Sequence, residues 1–150
     1  MTFDEVAAAL RENPMSQLGG GATDGEIARA EQDLAVALPL SYRRLLGEFG
    51  WVAIPGYFEL HGLGAGVPSH LNLVGVTLAE RSQFMSPTPT HLIPIVNDGA
   101  GNLYCLDTSR NDAEDSPVVL QDHEIDEIHD VAESFLEWLA AELSRTRNQS

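Results

Sequence analysis

Ile93-Pro-Ile-Val-Asn-Asp-Gly-Ala-Gly-Asn-Leu-Tyr-Cys-Leu-Asp107 sets two apolar runs on either side of a polar, glycine-bearing segment. Segments of this composition cradle phosphates, bind calcium, carry catalytic aspartates or simply reverse the chain. A calcium loop needs oxygen ligands at alternate positions and a distant Glu, whereas Asn97 and Asp98 stand side by side. A catalytic Asp98 needs an acid, base or nucleophile beside it, and the sequence identifies none. Asn, Asp and Gly all tolerate left-handed backbone angles, so Asn97 to Asn102 is read as the turn of a hairpin joining strands Leu92–Val96 and Leu103–Leu106.

Beyond this hairpin, Pro117 to Leu120 is a further strand that pairs with Leu103–Leu106. Tyr57–Leu60 and Leu71–Val74 are expected as strands, and Thr77 with Glu80 as the capping box of a short surface helix reaching Phe84. Ser86 to Thr90 holds two prolines and is a connector. Before the strands lie three helices. Thr2 and Glu5 form a capping box ahead of Phe3, Val6, Ala7 and Leu10; Thr23 and Glu26 form another ahead of Ile27, Ala30 and Leu34, with the helix running to Val36. Pro39 opens the third, with Tyr42, Leu45, Leu46 and Phe49 as its apolar face and Gly50 as its terminator. Gly19 to Gly21 follow no strand and precede no Gly-Lys-Ser/Thr, so they are expected as a flexible linker and not a phosphate loop. Asp130 with Glu133 is expected to cap a last helix whose core stripe is Val131, Phe135, Leu136, Trp138, Leu139 and Leu143. Helices, a run of strands and a closing helix make an α+β fold: amino-terminal helices, a central antiparallel sheet and a carboxy-terminal helix packed on it. The organisation read here is residues 1–22 as helix and linker, 23–145 as the domain and 146–150 as a polar tail.

A chain of 150 residues is long enough to bury roughly 68 to 70% of its unfolded surface without staples. Its lone Cys105 cannot form an internal disulfide, its start is acidic where a signal peptide is basic and then apolar, and no apolar run approaches the roughly 18 residues that span a bilayer. The expectation is a soluble, cytoplasmic protein that binds no membrane. Its 23 acidic and 8 basic residues give a formal net charge of −15. A phosphate backbone would be repelled, so nucleic acid is excluded as a partner and a basic protein surface is favoured. The excess is concentrated: twelve acids lie between Asp107 and Glu142 against the single base Arg110. That segment carries a negative field, although solubility alone also accounts for an acidic surface.

The enzyme reading has little to stand on. His123-Glu-Ile-Asp-Glu-Ile-His129 lacks the four-residue spacing that puts two zinc-ligating imidazoles on one helix face. Cys105 lies mid-strand among apolar neighbours, as a buried inert thiol does, and His61, His70 and His91 are isolated. No enzyme, metal or cofactor is expected.

Three motifs in order resemble the SUKH superfamily. The first is Glu31, Leu38, Pro39, Tyr42, Leu45 and Leu46; the second is Ile93, Pro94, Ile95, Asp98, Gly99, Gly101, Asn102 and Asp107; the third is Val118, Val119, His123, Ser134, Phe135, Leu136 and Leu139. They span Thr23 to Leu143. The chain departs from the family at Phe49-Gly50-Trp51, where members often carry Asn-Gly, and its first 22 residues lie outside the resemblance. The resemblance implies an α+β scaffold with no shared catalytic motif. It implies a bacterial immunity protein that binds and neutralises a cognate toxin domain, often a nuclease; the alternative is a regulatory adaptor for a cellular protein or peptide, like the fungal regulator of cell-wall synthesis in the same superfamily. The acids in the two loops flanking the Pro117–Leu120 strand are expected to form the partner-binding rim: Asp112, Glu114 and Asp115 on one side, Asp122, Glu124, Asp126 and Glu127 on the other. Glu133, Glu137 and Glu142 are expected on the solvated face of the last helix.

Overall fold

Thr2 and Thr23 both close the capping boxes read from the sequence, each hydroxyl accepting from the backbone of Glu5 or Glu26 while that glutamate reaches back. These and the other elements come from a computed structural model, which describes residues 1–112 and 114–148. The helices are α1 (Phe3–Glu12), α2 (Asp24–Leu34), α3 (Leu40–Phe49), α4 (Leu73–Arg81) and α5 (Phe135–Asn148). The strands are β1 (Gln17–Leu18), β2 (Val52–Ile54), β3 (Phe58–Leu60), β4 (Leu92–Asn97), β5 (Asn102–Asp107), β6 (Val118–Asp122) and β7 (Glu127–Ala132). They form two antiparallel sheets, β1-β2-β3 and the meander β4-β5-β6-β7, with helices at both ends of the chain and α5 packed on the meander. The fold is the expected α+β. Among the described residues no helix is long and apolar enough to cross a membrane.

One core joins the layers. Phe3, Val6, Ala7 and Leu10 of α1 are buried in the same cluster as Tyr42, Leu45 and Leu46 of α3, Ile93 and Ile95 of β4, and Phe135, Trp138 and Leu139 of α5. Tyr42 meets Phe135 edge to face at 5.3 Å between ring centroids, a favoured aromatic geometry. Strand alternation sends Leu92, Leu103, Cys105 and Val119 to the opposite face of the meander, where they form a smaller cluster. Thr88, in the connector after α4, donates to Gln121 Oε1 of β6 at 2.6 Å and ties that connector to the meander.

The amino-terminal 22 residues are part of this body. Besides α1, β1 pairs with β2, and Gly19 and Ala22 donate backbone bonds to Trp51 and Leu46. The glycines are there for close approach and not for flexibility. A Cβ on Gly19 would meet the Phe49 carbonyl oxygen at 2.5 Å, and Gly21 combines a φ of +92° with an equally close Gly47 oxygen. At the other end α5 continues to Asn148 and buries Thr146, so the expected polar tail is helical this far; residues 149 and 150 lie outside the described residues.

Several local expectations are corrected, the Thr77–Glu80 capping box among them, since Thr77 is buried inside α4 and its hydroxyl caps nothing. Leu71–Val74 is not a strand: Asn72 caps α4 through its side chain, accepting from Gly75 N at 3.0 Å, and the helix that follows ends at Arg81, short of Phe84. Asp130 and Glu133 do not open the last helix, because Glu127 to Ala132 is β7. The helix starts at Phe135, with Ser134 Oγ accepting from Glu137 N, and Val131 faces solvent instead of the core.

Candidate functional site

The meander places two of its three connections, β4–β5 and β6–β7, at one end. Asn102 pairs with Asp122, and His123 N donates to Gly101 O, so the Asn97–Asn102 turn and the Asp122–Glu127 turn lie side by side. Asp98 holds the first turn with its carboxylate, accepting from Ala100 N, Asn102 N and Asn102 Nδ2 at 2.7 to 3.1 Å. Asp122 holds the second by accepting from Glu124 N at 2.9 Å and Ile125 N at 3.4 Å. Asp126 takes a left-handed φ of 53° and accepts from Ser86 Oγ at 2.9 Å. Glu124 is exposed, and Glu127 begins β7 with its Oε2 3.1 Å from His129 Nε2. Five carboxylates therefore share this end. Arg110, the single base between Asp107 and Glu142, sits at the other end of β5, where it is engaged by Asp107 at 2.8 Å and Asp130 at 2.7 Å. Burial opposes ionisation of Asp107, but hydrogen bonds from Ser109 and Arg110 outweigh it and hold the carboxyl below its ordinary range.

Apolar side chains stand beside these acids. Phe84 is 96% exposed and Met85 76%, and both precede the Ser86 that binds Asp126. Ile125 lies in the turn itself and Ile128 on β7, paired with Gln121, whose amide nitrogen reaches the Ser86 carbonyl at 3.4 Å. Large apolar groups left in water beside a charged border are what interaction surfaces present. From the sequence Phe84 is expected at the end of a surface helix and nothing singles out Met85; the available signal is their position just before the proline connector.

The other expected rim acids do not join this end. Asp112, Glu114 and Asp115 precede β6, whereas Asp122 ends it and Glu124 to Glu127 follow, so the length of a five-residue strand, about 16 Å, separates the groups. The rim is split, because β6 is an interior strand with its flanking loops at opposite ends of the sheet. Internal bonds occupy the two aspartates of the first group: Asp112 Oδ1 accepts from Glu114 N and Asp115 N, and Asp115 accepts from Phe135 N at 2.8 Å and Leu136 N at 3.4 Å; Glu114 is held through its backbone, its carbonyl accepting from Ser41 N, and is exposed. Asp115 thus caps α5 from a distant loop, where the unpaired amides and the helix dipole favour a carboxylate. The expectation for the last helix also divides. Glu137 is exposed, but Glu142 is half-buried beside Trp138, paired with Arg145 at 2.6 Å, and burial raises its pKa despite that partner. Glu133 precedes the helix.

The motif residues hold the scaffold together. Glu31 accepts from Leu38 N at 2.8 Å and fixes the α2–α3 connection ahead of Pro39; Tyr42 donates to the His61 carbonyl at 2.6 Å. The His61 ring is buried and its Nδ1 lies 2.9 Å from Pro94 O, so Nδ1 carries the proton; burial lowers its pKa while this bond works the other way. His123 Nε2 lies 3.9 Å from Glu80, whereas His129 belongs to β7. Burial pushes the Cys105 thiol up. Among the described residues no three His, Cys, Asp or Glu side chains come together as a metal-binding group.

A protein-family model described as SMI1-KNR4 cell-wall (SUKH_5) matches residues 3–144. The chain belongs to the SUKH family. The match takes in α1, in keeping with the burial of that helix in the common core. Within this SUKH domain the motif positions serve folding, and the acidic end of the meander is the surface left to account for.

Proposed function

We propose that this SUKH domain is an immunity protein that binds and blocks a basic toxin domain, acting by occlusion in the cytoplasm and without catalysis. The observation that carries the reading is the acidic end itself: Asp98, Asp122, Glu124, Asp126 and Glu127 beside exposed Phe84, Met85, Ile125 and Ile128. A nuclease must attract phosphate, so its active site is basic. An acidic surface steers toward such a site, and apolar anchors hold it once water is expelled. Asp112, Glu114 and Asp115, at the far end, are left out of this interface.

A second reading, a regulatory adaptor for a cellular protein, is favoured by the cell-wall description of the matching family. One titration separates the two. The purified chain is mixed with the toxin domain encoded beside its gene, and the toxin's activity is followed. Immunity predicts loss of activity that is complete at equimolar protein; undiminished activity at tenfold excess rejects it and leaves the adaptor.

A further inference from the structure

The meander has two outer strands with different fates. On β4, Ile95 O accepts from His61 N at 2.8 Å, which joins that side to the segment leaving β3. On β7, pairing is confined to β6; among the described residues no strand lies on its other side. β7 is six residues long, contains no proline, and exposes Glu127 through Val131; Ala132 pairs with Val118 but Asp130 with Val119, so Val131 is the extra residue of a bulge and the regular ladder runs from Glu127 to Asp130. An edge of this kind offers a row of free backbone donors and acceptors, which proteins ordinarily blunt. Here a bulge blunts the Val131 end, and along the regular Glu127–Asp130 ladder the protection is chemical and selective. Two copies pairing along β7 would bring together two edges that each carry Glu127 beside an acidic turn, in chains that each carry a formal charge of −15; Asp130 adds less, being engaged by Arg110. A basic strand meets the opposite situation: carboxylates at the turn end, apolar Ile128 and Val131 along the strand, and a free backbone ladder between them.

We propose that β7 receives an extended basic segment of the partner as a fifth strand of the meander, with backbone bonds supplying the register and side-chain charge the selectivity. The proposal rests on the reading of the acidic end as the partner surface and names how the partner engages it. The occupant is a strand that alternates arginine or lysine with β-branched residues; a second copy of this chain is disfavoured by charge.

The test uses the full chain and a synthetic probe, an acetylated and amidated eight-residue peptide of alternating arginine and valine. Backbone amide exchange is measured with and without saturating peptide. The expected result is slowing of tenfold or more at alternate amides within Glu127–Asp130, with weaker binding to Glu127→Lys. A peptide of equal charge, N-methylated on the amides of one edge, should lose that protection. Protection confined to the Asp122–Asp126 turn, equal binding of the N-methylated peptide, or no binding of either would overturn strand addition. None of these results bears on toxin inhibition at equimolar protein, so failure here is distinguishable from failure of the immunity reading.

Discussion

Asp115 and Asp122 are both acids of one short segment, and the structure gives them opposite fates. Asp115 satisfies two amides at the start of α5, whereas Asp122 shapes a turn that carries further, solvated acids. Asp115→Ala should therefore cost about 1 kcal/mol of stability, the usual cost of losing a helix cap, while leaving the rate of partner association unchanged. Chemical denaturation and association kinetics on the same variant check both halves. Composition could not separate the two residues, because the amides that Asp115 binds come from Phe135 and Leu136, far along the chain. Thr2 and Thr23 were legible for the converse reason: the capping box is complete within four residues.

At the level of elements, hairpin and helices whose signals are local were readable, and those decided by neighbours were not. The Asn97–Asn102 turn announces itself by residues that accept left-handed angles. β7 does not, since five of its six residues are exposed and Ile128 and Val131 fall three apart, as on a helix. Leu71 and Leu73 alternate like a strand, but both are buried by a helix and the turn before it, with Asn72 between them as the cap. His61 shows how elements are tied in ways no motif records: its ring bonds Pro94 O while its backbone bonds Ile95 O. Burial lowers its folded pKa below the ordinary 6.5, so the unfolded chain binds the extra proton first. The stability contributed by neutral His61 is present above pH about 6.5 and is lost as pH falls from there toward the folded value. His61→Gln, which can still donate to the Pro94 carbonyl, should flatten the decline in melting temperature between about pH 7 and pH 5; an unchanged slope would show that other groups carry it.

Over the whole molecule, the sequence made the excess of negative charge plain but could not say where the fold would gather it. Topology does that: the antiparallel meander sends Asp98 and the Asp122–Glu127 turn to one end and Asp112 to Asp115 to the other. Phe84 and Met85 reach the acidic end only because Ser86 and Gln121 hold their loop there. Individual exposed charges contribute little, about 0.2 to 1 kcal/mol each, so steering depends on their combined field. The most direct measurement is stopped-flow association with the identified basic partner across ionic strength, comparing the native chain with the combined variant Asp122→Asn, Glu124→Gln, Asp126→Asn and Glu127→Gln. These replacements keep side-chain acceptors for the turn and for Ser86, so the melting temperature should hold or rise. The native rate should fall by roughly tenfold or more between low and high salt, and the variant should be slow at low salt and nearly independent of it. Equal rates and equal salt dependence for the two proteins would contradict the assignment of this end as the partner surface.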